Sequence, residues 1–273
     1  MRIHLTRLFV VAAGGAGVLL AGPGAAAASP AAAAHAAPAH GGWGKAAEIP
    51  GSGTLAAGGD ANGNSVSCSS AGNCVAGGFY IDAEHHDQVF LAIESKGHWG
   101  KAFEIPGTPS LNGGGDADLA AVACPSAGSC TATGWYEASA GPLEAFVVSE
   151  HGGHWAKAAE LRGFGTLNAD DYGQVKALSC AAAGYCTAGG YTQRSGTVST
   201  AFVLSEVTGH WGNAQRLPGM SGINHGGVAG LDALSCASPG NCAAGGSYRP
   251  STASTHSQAW LAVQKSGHWG NAF

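Results

Sequence analysis

Acidic and imidazole side chains gather in a few short polar stretches of this chain: Asp60-Ala-Asn-Gly-Asn64, Asp82-Ala-Glu-His-His-Asp87, Asp116-Ala-Asp118 and Asn168-Ala-Asp-Asp171. Asp60, Asn62 and Asn64 alternate oxygen ligands as calcium loops do, but no glutamate stands at the twelfth position and the fourth repeat of the chain lacks the acids. His85, His86 and Asp87 offer metal ligands, and read equally well as a polar loop tip. Asp60, Asp116, Asp118, Asp170 and Asp171 could supply the carboxylates of a polysaccharide hydrolase or lyase, which needs two of them roughly 5 to 10 Å apart across a cleft. No nucleophile motif or phosphate-cradling glycine loop accompanies them, since the Gly-Gly pairs lie within strands and turns and open no helix. We therefore expect no catalytic residue, and read His85, His86, Asp87, Asp116, Asp118, Asp170 and Asp171 as candidate ligand-binding side chains on variable loops, where function usually sits on a rigid scaffold.

The remaining reactive groups are cysteines, and their spacing is strict. The pairs Cys68/Cys74, Cys124/Cys130, Cys180/Cys186 and Cys236/Cys242 recur with a period of 56 residues. Zinc sites use other spacings and add histidines at fixed offsets, which are missing here. An even set of evenly paired cysteines behind a leader sequence reads as disulfides, each within its own repeat. A bridge closing so short a loop contributes about 2 kcal/mol in the chain-entropy picture.

What positions these groups is a repeated set of four apolar bursts. The first, such as Val66-Ser-Cys68 and Leu178-Ser-Cys180, enters a small-residue turn. The second leaves it as Cys74-Val-Ala-Gly-Gly-Phe-Tyr80 or Cys186-Thr-Ala-Gly-Gly-Tyr191, so the cysteines tie the neck of a β-hairpin. The third is Val89-Phe-Leu-Ala-Ile93 and its copies. A Gly-His-Trp turn at His98, His154, His210 and His268 starts the fourth, whose closing Pro106 and Pro218 suit an edge strand. Four antiparallel strands per repeat, in tandem, predict an all-β β-propeller of four blades of about 56 residues each. Small residues such as Ala76/Gly78 and Ala188/Gly190 are expected to let blades approach closely. The turn tryptophans, Trp99 and Trp155 among them, are expected to be buried. The segment Gly42 to Pro50 reads as a lone fourth strand that could complete the last blade and close a ring, although Trp269 to Phe273 competes for that place.

Residues 1–28 read as a signal peptide, with Arg2 and Arg7 before an apolar run and small residues ahead of Ser29. Residues 29–42 read as a disordered Ala/Pro linker, and 43–273 as the propeller domain. Of the 12 Lys and Arg, two fall in the leader, against 17 Asp and Glu, so the chain lacks the basic footprint that nucleic acid requires. No later segment is a transmembrane candidate.

The Cys-paired hairpin, the Gly-rich second strand, Ala145-Phe-Val-Val-Ser-Glu150 and the following Gly-His-Trp155 resemble the secreted β-propeller-type repeat proteins of actinobacteria, and are distantly similar to the Asp-box propellers, which include sialidases and photosystem II assembly-factor-like proteins. In those relatives an Asp-containing turn joins the third and fourth strands. Here the turn Ser149-Glu-His-Gly-Gly-His-Trp155 is one residue shorter and lacks the Asp. A sialidase also needs three clustered arginines with a Tyr/Glu pair, whereas Arg162, Arg194, Arg216 and Arg249 are spread along the chain. The expected function is a secreted, monomeric, non-catalytic module that binds a glycan, cell-wall polymer or protein. A polysaccharide hydrolase or lyase and a purely structural envelope protein are the alternatives.

Overall fold

The computed structural model describes residues 45–139, 141–168, 172–194 and 198–273. The expected signal peptide, the linker, Trp43, Asp170 and Asp171 lie outside the described residues. The repeated unit is a β-propeller blade, and the described residues form four. Blade 1 comprises β1 (Ala61–Ser70), β2 (Asn73–Ile81), β3 (Asp87–Ser95), β4 (His98–Trp99) and β5 (Phe103–Glu104). Blade 2 comprises β6 (Ala117–Ser126), β7 (Ser129–Glu137), β8 (Leu143–His151), β9 (His154–Trp155) and β10 (Ala159–Glu160). Blade 3 comprises β11 (Gly173–Ala182), β12 (Tyr185–Arg194), β13 (Val198–Val207), β14 (His210–Trp211) and β15 (Gln215–Arg216). Blade 4 comprises β16 (Ala229–Ser238), β17 (Asn241–Tyr248), β18 (Gln258–Lys265) and β19 (His268–Trp269).

All pairings are antiparallel, and within each blade the first three strands are neighbours in sequence order. The fourth strand is broken in two. In blade 1, Trp99 pairs Glu94 and Phe103 pairs Leu91, with Lys101 and Ala102 looping out between them. The third strand therefore carries the core: Phe90, Phe146, Phe202 and Trp260 stand at one equivalent position and are fully buried. The larger Trp260 finds acceptors for its indole N–H in the carbonyls of Gly230 and Ser247, 3.1 and 3.2 Å away.

Each blade is preceded by a single helical turn that the apolar pattern does not reveal: α1 (Ser52–Leu55), α2 (Thr108–Leu111), α3 (Phe164–Leu167) and α4 (Met220–Ile223). The glycine before each takes a positive φ of 76° to 92°. These turns anchor the outer edge through the main chain, because the looped-out alanine of each fourth strand donates its N–H to the residue just ahead of that glycine. The bonds are Ala102 to Pro50, Ala158 to Pro106, Ala214 to Arg162 and Ala272 to Pro218, all 2.7 to 2.8 Å.

The first strands pack in series, β1 on β6, β6 on β11 and β11 on β16, with no comparable packing from β16 back to β1. Among the described residues the ring is open. The closure that the segment Gly42 to Pro50 could have made, which the sequence left undecided, is not made by its described residues 45–50. Pro50 is bonded to Ala102 in blade 1, Ile49 packs with Tyr80 and Phe90, and the place beside β18 is filled by Phe273, which exchanges both backbone bonds with Leu261 at 3.0 and 3.1 Å.

All four cysteine pairs are disulfide-bonded within their own hairpins, and no free cysteine remains. Among the described residues no helix is long and apolar enough to cross a membrane.

Two expectations need correction. Neighbouring blades meet at Gly77 and Gly189, against Leu119 and Leu231, whereas Gly78 and Gly190 lie against the carbonyls of Asn62 and Gln174 in their own sheets. Trp155, Trp211 and Trp269 are partly buried against the cores, but Trp99 is 36% exposed, because blade 1 has no blade ahead of it.

Candidate ligand-binding site

The turns divide between two faces. The cysteine turns and the His-Trp turns share one, joined by backbone bonds from Gly97 to Gly72, Gly209 to Gly184 and Gly267 to Gly240 of 2.8 to 3.0 Å. His98, His154, His210 and His268 are exposed on this repeated face. The variable loops and the short helices lie at the opposite ends of the strands.

The first strands line the inner side of the array, and each carries a bulge. In blade 1 the register steps from Gly63↔Gly78 to Ser65↔Gly77, leaving Asn64 unpaired. The same step in the other blades leaves Ala120, Lys176 and Asp232 unpaired. A glycine must face the bulge, since a Cβ at Gly78 would stand 1.8 Å from the Asn62 carbonyl oxygen and one at Gly190 2.0 Å from that of Gln174. This is what the repeated Gly-Gly pair does. Bulges re-aim side chains, and Asn64 and Lys176 here reach toward the blade between them.

Asp118 sits at that meeting point. The Asn64 amide donates to the Asp118 carboxylate and, at 3.3 Å, to the Leu119 carbonyl. Burial raises the Asp118 pKa to about 6, with the Leu119 N–H, the Lys176 ammonium and Asn64 opposing the rise and Asp116 adding to it. Together with Trp135, Leu119, Ala120 and Val175, these three polar residues line a cleft of about 190 Å³ spanning blades 1, 2 and 3. Trp135 is the cross-strand partner of Asp118. At the equivalent place in blade 3, Tyr191 pairs Gln174, its ring lies 6.2 Å from that of Tyr172, and the Lys176 Nζ stands 5.9 Å from its centroid. The cleft thus combines an aromatic ring with an amide, a carboxylate and an ammonium group.

Of the other candidates, His85, His86, Asp87 and Asp116 form a separate rim at the junction of blades 1 and 2. Asp82 organises the loop, accepting the N–H groups of Glu84 and His86 through Oδ1 and the Gln88 amide through Oδ2, at 2.9 to 3.1 Å. The bonds from His86, Gln88 and Glu84 outweigh the effect of burial and hold its pKa below the ordinary value. His86 lies over Gly115, and the Asp87 N–H donates to the Gly115 carbonyl at 2.9 Å. Asp87 and Asp116 are both raised by burial, Asp87 also by Asp82, and Asp116 also by Asp87 and Glu137. His85 is exposed, with φ of 62°. Asp60 directly precedes β1, and Asn62 and Asn64 lie in that extended strand and not in a loop. Among the described residues no three His, Cys, Asp or Glu side chains converge as metal ligands.

Sequence reading singled out Asp116 and Asp118 but missed Asn64 as the partner of Asp118, and missed Lys176 and Trp135 altogether. The signal available was the variation at matched positions, Phe79/Trp135/Tyr191/Ser247 and Asn64/Ala120/Lys176/Asp232, inside otherwise repeated strands.

No family model matches the chain, and no curated protein matches it. Among solved structures it is similar to the crystal structure of the GH74 xyloglucanase from Xanthomonas campestris, with a TM-score of 0.39 and 14% identity over 72% of this chain. The match spans only 28% of that structure's length. The assignment of the fold rests on the four sheets themselves.

Proposed function

We propose that the chain is a secreted, non-catalytic binding module that holds a glycan or cell-wall polymer in the cleft at Asp118. The observation supporting this reading is the convergence of Asn64, Asp118 and Lys176 from three successive inner strands beside Trp135. A few placed polar groups around an aromatic surface are what a small-ligand site needs, and a sugar presents both hydroxyls and an apolar face. The leader sequence and the four disulfides support export. Calorimetric titration with soluble glycans and cell-wall fragments tests the binding. Trp135→Ala and Asp118→Ala are expected to weaken it at least tenfold with the melting temperature little changed, and wild-type affinity in both would remove the cleft from consideration.

The hydrolase reading draws on the same Asp118, whose pKa of about 6 suits a proton donor. Asp118 is the only carboxylate among the described residues lining the cleft, and glycoside hydrolysis requires a second one. Release of sugar by the wild type and its loss in Asp118→Asn would favour that reading over binding.

A further inference from the structure

Inside the molecule one kind of joint is used three times: the first strand of a blade lies on the broad face of the blade before it. Leu119 seats against Gly77 and Leu231 against Gly189, so close that a Cβ on either glycine would stand 2.8 to 2.9 Å from the leucine. The hydroxyls of Ser65, Ser67 and Ser179 accept the backbone N–H groups of Val122, Cys124 and Cys236 at 2.9 to 3.0 Å. Leu91, Val147 and Val203, at matching positions in β3, β8 and β13, are buried by these joints.

Both halves of a fourth joint are present and unpaired. At one end, Leu261 and Val263 on β18 are 55% and 41% exposed, and Ser235, the counterpart of Ser67 and Ser179, faces no following strand. At the other, β1 is, among the described residues, the first strand with no blade ahead of it, and its Val66 is 63% exposed where Val122 is buried.

We propose that a second copy of this chain fills the gap head to tail, with β1 of one molecule lying on the β17–β18 face of its partner. The occupant follows from continuity with the three internal joints, because the face left open is of the kind that β6, β11 and β16 cover, and β1 is the remaining strand of that type. One position departs from the pattern. Gly63 stands where β6, β11 and β16 carry Leu119, Val175 and Leu231, so the notch at Gly245, met only by Leu261 and Trp260 of its own sheet, stays unfilled. The joint between copies is accordingly weaker than those within one. Because it is heterologous, it closes into a ring if the rotation permits and otherwise continues as a chain.

Sedimentation of residues 29–273 across a concentration series tests this. We expect reversible association that is lost in Val66→Asp and lost separately in Leu261→Asp, both at exposed sites whose melting curves should stay near wild type. An equimolar mixture of the two variants should recover a dimer through the single intact joint and nothing larger. Gly63→Leu, at a site where a Cβ meets no atom within 4 Å, should tighten association about tenfold by supplying the missing apolar side chain. A monomer at every concentration, with Gly63→Leu also monomeric, would overturn the proposal. So would association that survives Val66→Asp, which would mean that two β17–β18 faces meet each other.

Discussion

At the scale of single residues, Asp118 and the turn tryptophans make the sharpest tests. The Asp118 pKa is higher in the folded chain than in the unfolded one, so between about pH 4 and 6 the folded state binds the extra proton and stability falls as pH rises. Asp118→Asn should remove that slope and stabilise the protein near pH 7 by on the order of 1 kcal/mol, after allowance for partial exposure of the carboxylate. Thermal melts of both proteins from pH 4 to 8 measure it, and parallel curves would mean that the carboxylate titrates normally. Trp155→Ala should cost about 3 kcal/mol, since its ring packs on the core shared by blades 1 and 2. Trp99→Ala should cost less than about 1 kcal/mol. Denaturant unfolding of the pair separates the two sites, although their sequence contexts are nearly the same. Local sequence cannot distinguish them, because the difference lies in whether another blade stands alongside.

At the scale of elements, the bulge in each first strand and the glycine facing it form one unit. Gly190→Ala would push a methyl group into the Gln174 carbonyl, and the strand would have to move, at a cost of about 3 kcal/mol. Chemical denaturation checks this, and a loss under 1 kcal/mol would mean that the bulge relaxes freely. The hairpins, their disulfides and the Phe-bearing third strands were legible in the chain, because alternation, turn residues and cysteine spacing are local signals. The short helices were not, since four residues complete only one turn and show no periodicity. Nor was the cleft: a bulge shifts register by one residue, and no local pattern indicates that Asn64 and Lys176 reach a carboxylate on the strand between them.

At the scale of the whole molecule, the open array makes stability depend on position. Removing residues 29–50 should destabilise blade 1, where Ile49 covers Tyr80 and Phe90 and Pro50 holds Ala102, and should leave the last blade unaffected. Hydrogen exchange resolved by peptide would show lost protection in β2 and β3 with β17 and β18 unchanged, whereas lost protection in β18 would restore the idea of a closed ring. Removing residues 29–41 alone should change neither. The outer bonds that fasten each helical turn to the blade after it run from an alanine N–H to a carbonyl, and one of the four carbonyls belongs to Arg162 instead of a proline. A fastening made of main-chain atoms places little demand on side chains, so a duplicated repeat would arrive already able to attach to its neighbour. The number of blades is then a quantity that gene duplication can change in single steps, and lengthening the array would require no redesign of the parts already there.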